Sequence, residues 1–413
     1  MASAGTPSDS TGAAPEAAAA PGLGGVSTAA AGGSADVLVV GAGIVGAACA
    51  DALAARGLRV TVIEQEVVGS GATAAGMGHL VVMDDNPAEL ALSSYSLELW
   101  REFVADQPAR HEYSRCGTIW VAADDEELDA ARLKAATMAA HGLECRMLDA
   151  AALYALEPQL RPGLAGGLLV AGDGLVYPPK SARILLDRAL ARGARLVAGC
   201  VRAIEDGGVL LADGTRLRAG AVVVAAGSRS SQLLPELPVQ PKKGHVAITD
   251  RYPGFIRHQL VELGYIKSAH AASGDSVAFN LQPRPTGQIL IGSSRQFGAT
   301  DPAVEPDMMA RMLRHAVGFT PALRGLNVLR CWTGLRAASP DGLPLIGEHP
   351  GRPGVWLATG HEGLGITTSL ATAQLLAARI AGGDAAIPAQ PYLPERFATL
   401  QPNCEPWGQS QRD

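Results

Sequence analysis

The stretch DVLVVGAGIVG, residues 36–46, decides the fold. Asp36 to Val40 is a short run rich in β-branched residues that meets glycine at once, the pattern of a fully buried parallel strand. Gly41, Gly43 and Gly46 then form a GxGxxG loop. The first glycine suits a tight turn, the second lets backbone approach a pyrophosphate, and the third lets a helix pack close against the strand. Small and apolar residues from Ile44 to Arg56 predict a helix, Gly57 stands where a C′ glycine is favoured, and Arg59 to Glu64 predicts a second strand. Glu64 lies 18 residues beyond Gly46, where an acid can accept the ribose hydroxyls of an adenosine. A lone GxGxxG would say little; with strand, helix and acid in place the βαβ unit points to a bound dinucleotide.

Two glycine-rich segments bear on which dinucleotide. Soon after the second strand, Ser70-Gly-Ala-Thr-Ala-Ala-Gly-Met-Gly-His79 is a run of small residues that lets a bulky ring system lie against backbone. Far downstream, the apolar strand Val355 to Ala358 leads into Gly360-His-Glu-Gly-Leu-Gly-Ile366. That loop opens a helix carrying Leu370, Leu376 and Ile380. A helix N-terminus favours developing negative charge, as on a reduced flavin. Together the two segments favour FAD over a nicotinamide cofactor.

The remaining chain suggests two lobes. Residues 86–160 carry helical periodicity at Leu90, Tyr95, Leu97, Trp100 and Phe103, and again from Glu126 to His141, and are expected to be mostly helical. From Val197, turns at Asp206-Gly207-Gly208 and Asp213-Gly214 separate short strands that lead into the apolar run Ala221 to Ala226 and Gly227. Residues 240–335 alternate apolar and polar and predict an antiparallel sheet.

Composition narrows the functions. The chain has 413 residues, 47% hydrophobic and 18% charged, enough for a large core. A net charge of -6 with scattered Lys and Arg argues against nucleic acid as a partner. The six cysteines lie far apart with no metal-ligand spacing, so reduced thiols and no metal site are expected. Residues 1–33 have the composition of a disordered tail and no charged n-region of a secretory signal. Val37 to Ala50 is too short for a membrane span. A cytoplasmic protein is expected.

The chain resembles the glycine oxidase and D-amino acid oxidase type of FAD oxidoreductases. The resemblance is carried by VVGAGIVG (39–46), VIE (62–64), AAGM (74–77), VVAAG (223–227), GLR (334–336) with SPDGLPLIG (339–347), and Gly360-His361. Within the family, Met77-Gly-His79 and GHEGLGITT (360–368) look most like D-hydroxyproline dehydrogenases. The resemblance implies an α/β fold: an FAD-binding Rossmann-type domain, of the glutathione-reductase-like kind, and an antiparallel-sheet substrate domain. The first would comprise residues 34–85, 160–240 and 336–400, the second 86–159 and 241–335.

It also implies the FAD contacts. These are Gly41, Gly43, Ile44, Val45 and Gly46 in the first loop, Glu64 and Gln65 after the second strand, and Ser70, Gly71, Thr73, Ala75, Gly76, Met77 and Gly78 in the small-residue loop. Val201, Ala226 and Gly227 follow, then Gly360, Gly363, Leu364, Gly365 and Ile366. Relatives with covalent flavin use a His or Cys in the loops matching Thr73 or Ala337, and neither is present, so bound FAD is expected to be noncovalent.

The family's carboxylate-binding arginine falls on Arg336, whose guanidinium can fork onto a carboxylate; pairing with an internal acid such as Asp341 is the bland alternative. Asn280 and His361 complete the candidate catalytic set. Glycine oxidase has a tyrosine in place of Asn280 and a second arginine in place of Gly363, departures that make room for a ring. His79, His245 and Glu362 are polar residues on loops expected near the site, with none assigned as a base. The resulting expectation is oxidation of the C–N bond of a small amino or imino acid such as cis-4-hydroxy-D-proline, with electron-transfer subunits as possible partners. The rivals are a glycine or sarcosine oxidase using oxygen, a noncatalytic FAD relay subunit, and an NAD-linked dehydrogenase.

Overall fold

A computed structural model describes residues 35–264 and 274–397. The proposed tail at 1–33 and Cys404 lie outside the described residues. The DVLVV run forms strand β1 (Ala35–Val40), its last four residues all buried, and helix α1 (Ile44–Ala55) and strand β2 (Val60–Glu64) follow. Gly57 adopts φ +81, the left-handed C′ conformation that ends α1. β1 pairs in parallel with β2, Val37 opposite Val60, and on its other side with Arg216–Val224, Val37 opposite Ala221. The full order is Leu345–Glu348, Val355–Thr359, Arg216–Val224, β1, β2, Arg195–Ala198, with the hairpin strands Val201–Glu205 and Gly208–Leu211 appended to Arg216–Val224.

α1 is buried along almost its whole length. The reason is that the sheet covers one side while Pro178–Ala191 and Gly365–Ala381 contribute to the same core around it. Ala, Gly and Cys are therefore required for close approach, and the helix carries no amphipathic signal.

The second sheet has nine strands in the order His361–Glu362, Val328–Ala338, Gln240–Thr249, Ile289–Phe297, Ser276–Pro283, Gln259–Glu262, Thr118–Ala122, Gly166–Val170, Cys145–Asp149. Its antiparallel character holds for all but one pairing, Gln259–Glu262 running parallel to Thr118–Ala122. Helix Pro306–Phe319 covers one face, burying Met309, Met312 and Phe319 against Phe279 and Ile291. The other face meets the loops of the nucleotide domain. The molecule is thus the mixed α/β fold expected, with a Rossmann-type nucleotide sheet and a mainly antiparallel second sheet.

Three expectations need correction. Residues 86–160 contain helices Pro87–Ala105 and Asp125–Ala140, but also the strands Thr118–Ala122 and Cys145–Asp149. Thr118–Ala122 is buried on both faces, so it shows no alternation to distinguish it from a helical segment. Pro306–Phe319 was hidden among turn-rich joints inside a region read as sheet. Gly166–Val170 pairs with Thr118–Ala122 in the second sheet, so the nucleotide-domain segment expected from residue 160 does not include this strand.

Candidate active site

The C-terminal ends of the parallel strands carry the first loop. Gly41 has φ +104, and a Cβ there would sit 2.6 Å from the Ala225 carbonyl oxygen; a Cβ on Gly46 would sit 2.0 Å from the Gly41 oxygen. Only glycine allows this turn to close with Ala225, Ala226 and Gly227 alongside it. Glu64 ends β2, its Oε2 accepting the Ala42 N–H at 2.6 Å and its Oε1 the Glu66 N–H at 2.8 Å. Each oxygen keeps a further lone pair for a ribose hydroxyl. The Gly199 N–H donates to the Glu64 carbonyl at 2.9 Å, which brings the turn before Val201 beside Glu64; Gln65 is exposed just beyond.

Three segments converge beside this loop. The Ile44 N–H donates to Thr73 Oγ1 at 3.0 Å, tying the small-residue loop of Ser70 and Gly71 to the start of α1. A Cβ on Gly76 would lie 2.8 Å from Ile366 Cδ1, and one on Gly365 would lie 3.9 Å from Val45 Cγ2. The N-terminal ends of α1 and of Gly365–Ala381, with Leu364 at its N-cap, are therefore neighbours. The second sheet closes the other side: Trp332 Nε1 donates to the Ala75 carbonyl at 3.1 Å, and Met77 packs with Val246, Leu290 and Trp332. This cradle fits FAD. Backbone approaches closely at the pyrophosphate loop, an acid stands at the ribose position, and the small-residue loop meets the second sheet along a seam where the ring would lie.

Arg336 stands on the sheet face that meets the seam. Its guanidinium lies over Gly244, where a Cβ would come within 2.6 Å of it, and its Nη1 donates to the Ser294 carbonyl at 3.1 Å. Gly363 is next to it, 3.8 Å from Nε by the same measure. Asp341 is not its partner, being held by Arg396 at 2.7 Å and by the Leu343 N–H at 3.1 Å; the internal acid on which the Arg336 charge acts is Glu362.

Glu362 pairs with Lys242, which lies opposite Arg336 in the register. Burial pushes the Glu362 carboxyl up, yet the charges of Arg336, Lys242 and Arg295 and the Lys242 hydrogen bond outweigh it and hold it at about 2. Burial likewise lowers the Lys242 pKa against the pull of Glu362. Three cations around one carboxylate leave a positive excess suited to an anionic ligand.

The polar loop residues separate. His361 is not among the groups facing the seam: its Nε2 is 3.0 Å from Thr372 Oγ1, and burial pushes its pKa down to about 4, so it is a neutral scaffold group. His245 also looks away, its Nδ1 2.9 Å from Ser294 Oγ while the Glu305 N–H donates to Nε2 at 3.1 Å. Asn280 and His79 come together beside Met77 and Gly292.

Lys242 and Arg295 escaped the sequence reading. Lys242 and Lys243 are adjacent in sequence but point to opposite faces; Lys243 is buried with Glu305 at 2.8 Å and Asp301 at 3.2 Å. Strand register alone separates them.

Among the described residues no group of three His, Cys, Asp or Glu is placed to hold a metal, and no helix is long and apolar enough to cross a membrane.

A Rossmann-type sheet with its glycine loop, and a second sheet packed against the loops beside it, define a two-lobed dinucleotide-dependent oxidoreductase. The chain belongs to the family described as FAD dependent oxidoreductase, whose pattern matches residues 36–379. It is 32% identical over 385 residues to a glycine oxidase of Pseudomonas putida, covering 88% of this chain and 99% of that one. It is 30% identical over 326 residues to a D-amino acid dehydrogenase of Cereibacter sphaeroides, covering 74% and 70%. The crystal structure of glycine oxidase from Geobacillus kaustophilus superposes with a TM-score of 0.78 at 27% identity, over 87% of this chain and 98% of that one. The protein is an FAD-dependent oxidoreductase.

Proposed function

We propose that the protein oxidises the C–N bond of a small cyclic amino acid of the D-proline type, cis-4-hydroxy-D-proline above all. The observation that carries this reading is the Arg336 guanidinium, laid over Gly244 on the seam-facing sheet with a cationic excess around it. Arg336 would fork onto the substrate carboxylate, and Gly244 and Gly363, having no side chains, leave the space for it. FAD, when bound, supplies the two-electron acceptor for a hydride from the α-carbon. The amine nitrogen gives up its proton and the product is an imine. With its lone pair free the amine needs no strong base, which suits a site whose His245 and His361 are engaged elsewhere. Asn280 and Gly363 are smaller than the tyrosine and arginine that glycine oxidase has there, and so favour a pyrrolidine ring.

The flavin would be held noncovalently, since Thr73 and Ala337 offer no His or Cys. Within this reading the described residues of 34–85, 160–240 and 336–400 form the FAD lobe apart from the strands Gly166–Val170 and His361–Glu362 and the end of Val328–Ala338, which belong to the second sheet, the location is cytoplasmic, and electrons leave through partner subunits. A glycine or sarcosine oxidase using oxygen is the second reading, favoured by the relatives named above. A relay subunit would have no use for Arg336 on the seam.

The test is anaerobic mixing of the purified yellow protein with D-proline, cis-4-hydroxy-D-proline, sarcosine and glycine, followed by turnover with dye or oxygen. The cyclic D-acids should bleach the flavin, and dyes should support turnover far better than oxygen. Bleaching by glycine or sarcosine alone, with peroxide formed at the rate of dye reduction, would establish the second reading instead.

A further inference from the structure

His79 and Asn280 belong to different lobes of the site. His79 follows Gly78 at the end of the small-residue loop, and Asn280 lies in Ser276–Pro283 opposite Gly292 in the register. The Asn280 side chain stands within hydrogen-bonding reach of the His79 ring, while His79 Nε2 and Asn280 Oδ1 are both buried and meet no partner beyond each other. Two orphaned polar atoms at one place are costly unless a ligand satisfies them. Burial pushes the His79 pKa down to about 4, with Asn280 pulling the other way, so the imidazole is neutral near pH 7. Both side chains of the pair are thus polar and uncharged, and the nearby Arg284, whose charge also lowers the His79 pKa, is paired with Glu112.

Register sets how far apart the two ends stand. The Arg336 guanidinium reaches the Ser294 carbonyl, and Asn280 faces Gly292 across the neighbouring strand pair, two residues along from Ser294. One inter-strand step of about 4.8 Å and two residues at about 3.4 Å each give a separation in the sheet of roughly 8 Å. That span suits one small amino acid with its carboxylate at Arg336 and its far edge at Asn280. We infer that His79 and Asn280 form a subsite that reads a hydroxyl group on the far edge of the substrate ring, the hydroxyl donating to Asn280 Oδ1 and accepting from His79 Nε2–H. A hydroxyl is both donor and acceptor and so satisfies both atoms. A bare methylene leaves both without that partner, and a second carboxylate would face Asn280 Oδ1, itself an acceptor. This inference rests on the cyclic-acid reading above.

The experiment compares second-order rates of anaerobic flavin reduction by cis-4-hydroxy-D-proline and D-proline in the FAD-loaded protein. The hydroxylated acid should be favoured by about tenfold or more. In Asn280→Leu and His79→Phe the ratio should fall towards one. Asn280→Ala serves where the leucine variant fails to hold FAD, and His79→Gln, which keeps an N–H, should recover part of the preference. D-Proline bleaching with a ratio near one in the unmodified protein overturns the subsite alone. So does a ratio unchanged in both variants, including the case where their oxidised-flavin spectrum shifts and places the pair against the ring instead. If neither cyclic acid bleaches the flavin, the cyclic-acid reading falls and the subsite with it.

Discussion

Arg336 illustrates what one side chain can and cannot disclose. Its residue type already suggests carboxylate recognition, because a planar guanidinium presents paired donors that an ammonium lacks. Hydrogen bonds to charged groups contribute roughly 1.5–3 kcal/mol, and about 1.4 kcal/mol is a factor of ten in rate. Arg336→Ala should therefore reduce its flavin at least about tenfold more slowly at low substrate concentration while keeping its FAD. Arg336→Lys should recover little. An alanine variant as fast as the unmodified protein would remove the carboxylate role. Legibility stopped there: Lys242 reads no differently from Lys243 until register shows one beside Arg336 and the other bound to Glu305 and Asp301. His361 reads as a site residue until its ring is seen bonded to Thr372, with the neighbouring Glu362 facing the cations instead.

At the scale of elements, the βα turn holds its shape through contacts that no side chain could share. Gly46 is needed for the turn itself, whereas Gly43 caps α1 in extended backbone at φ -63, and a Cβ there would meet only Thr73 Oγ1 at 3.1 Å. A larger residue at 43 thus tests the cofactor more than the fold. Gly43→Val should keep its far-UV circular dichroism but lose FAD on gel filtration, since the side chain would occupy the space where a pyrophosphate approaches backbone. A yellow variant with full FAD content would mean that the pyrophosphate lies elsewhere. The strand–loop–helix order here was readable because each local preference agrees with its neighbours. The strand Thr118–Ala122 was not, because a strand buried on both faces loses the period of two.

For the whole molecule, Asp173 marks a junction. Its Oδ1 accepts the Val82 N–H at 3.2 Å, joining the segment after the small-residue loop to the turn beyond Gly166–Val170. Its Oδ2 is buried with no partner. Burial pushes this carboxyl up to about 7 against hydrogen bonds from Thr118 and Val82. An unfolded Asp titrates near about 3.9, so the folded state holds the proton more tightly. Its stabilising contribution is then full below about 4 and is lost as pH rises through about 7. Thermal unfolding of the unmodified protein should shift to lower temperature across that window. Asp173→Asn, which keeps the Oδ1 acceptor and carries no charge, should flatten this dependence. An equal pH slope in the variant would show that Asp173 is not the group responsible.

The amino-acid sequence by itself determined the nucleotide half of this protein. Its signals are local: a buried strand, three glycines at fixed spacing, a helix of small residues and an acid at the end of the next strand all lie within residues 36–64. The family motifs extended that reading to the flavin loops and to Arg336. Only the tertiary structure decided what surrounds Arg336. Lys242, Arg295 and Glu362 arrive from three separate strands, and His79 meets Asn280 across some two hundred residues of chain. Such neighbours are set by strand order and register, and a shift of one residue would turn every one of these side chains to the opposite face.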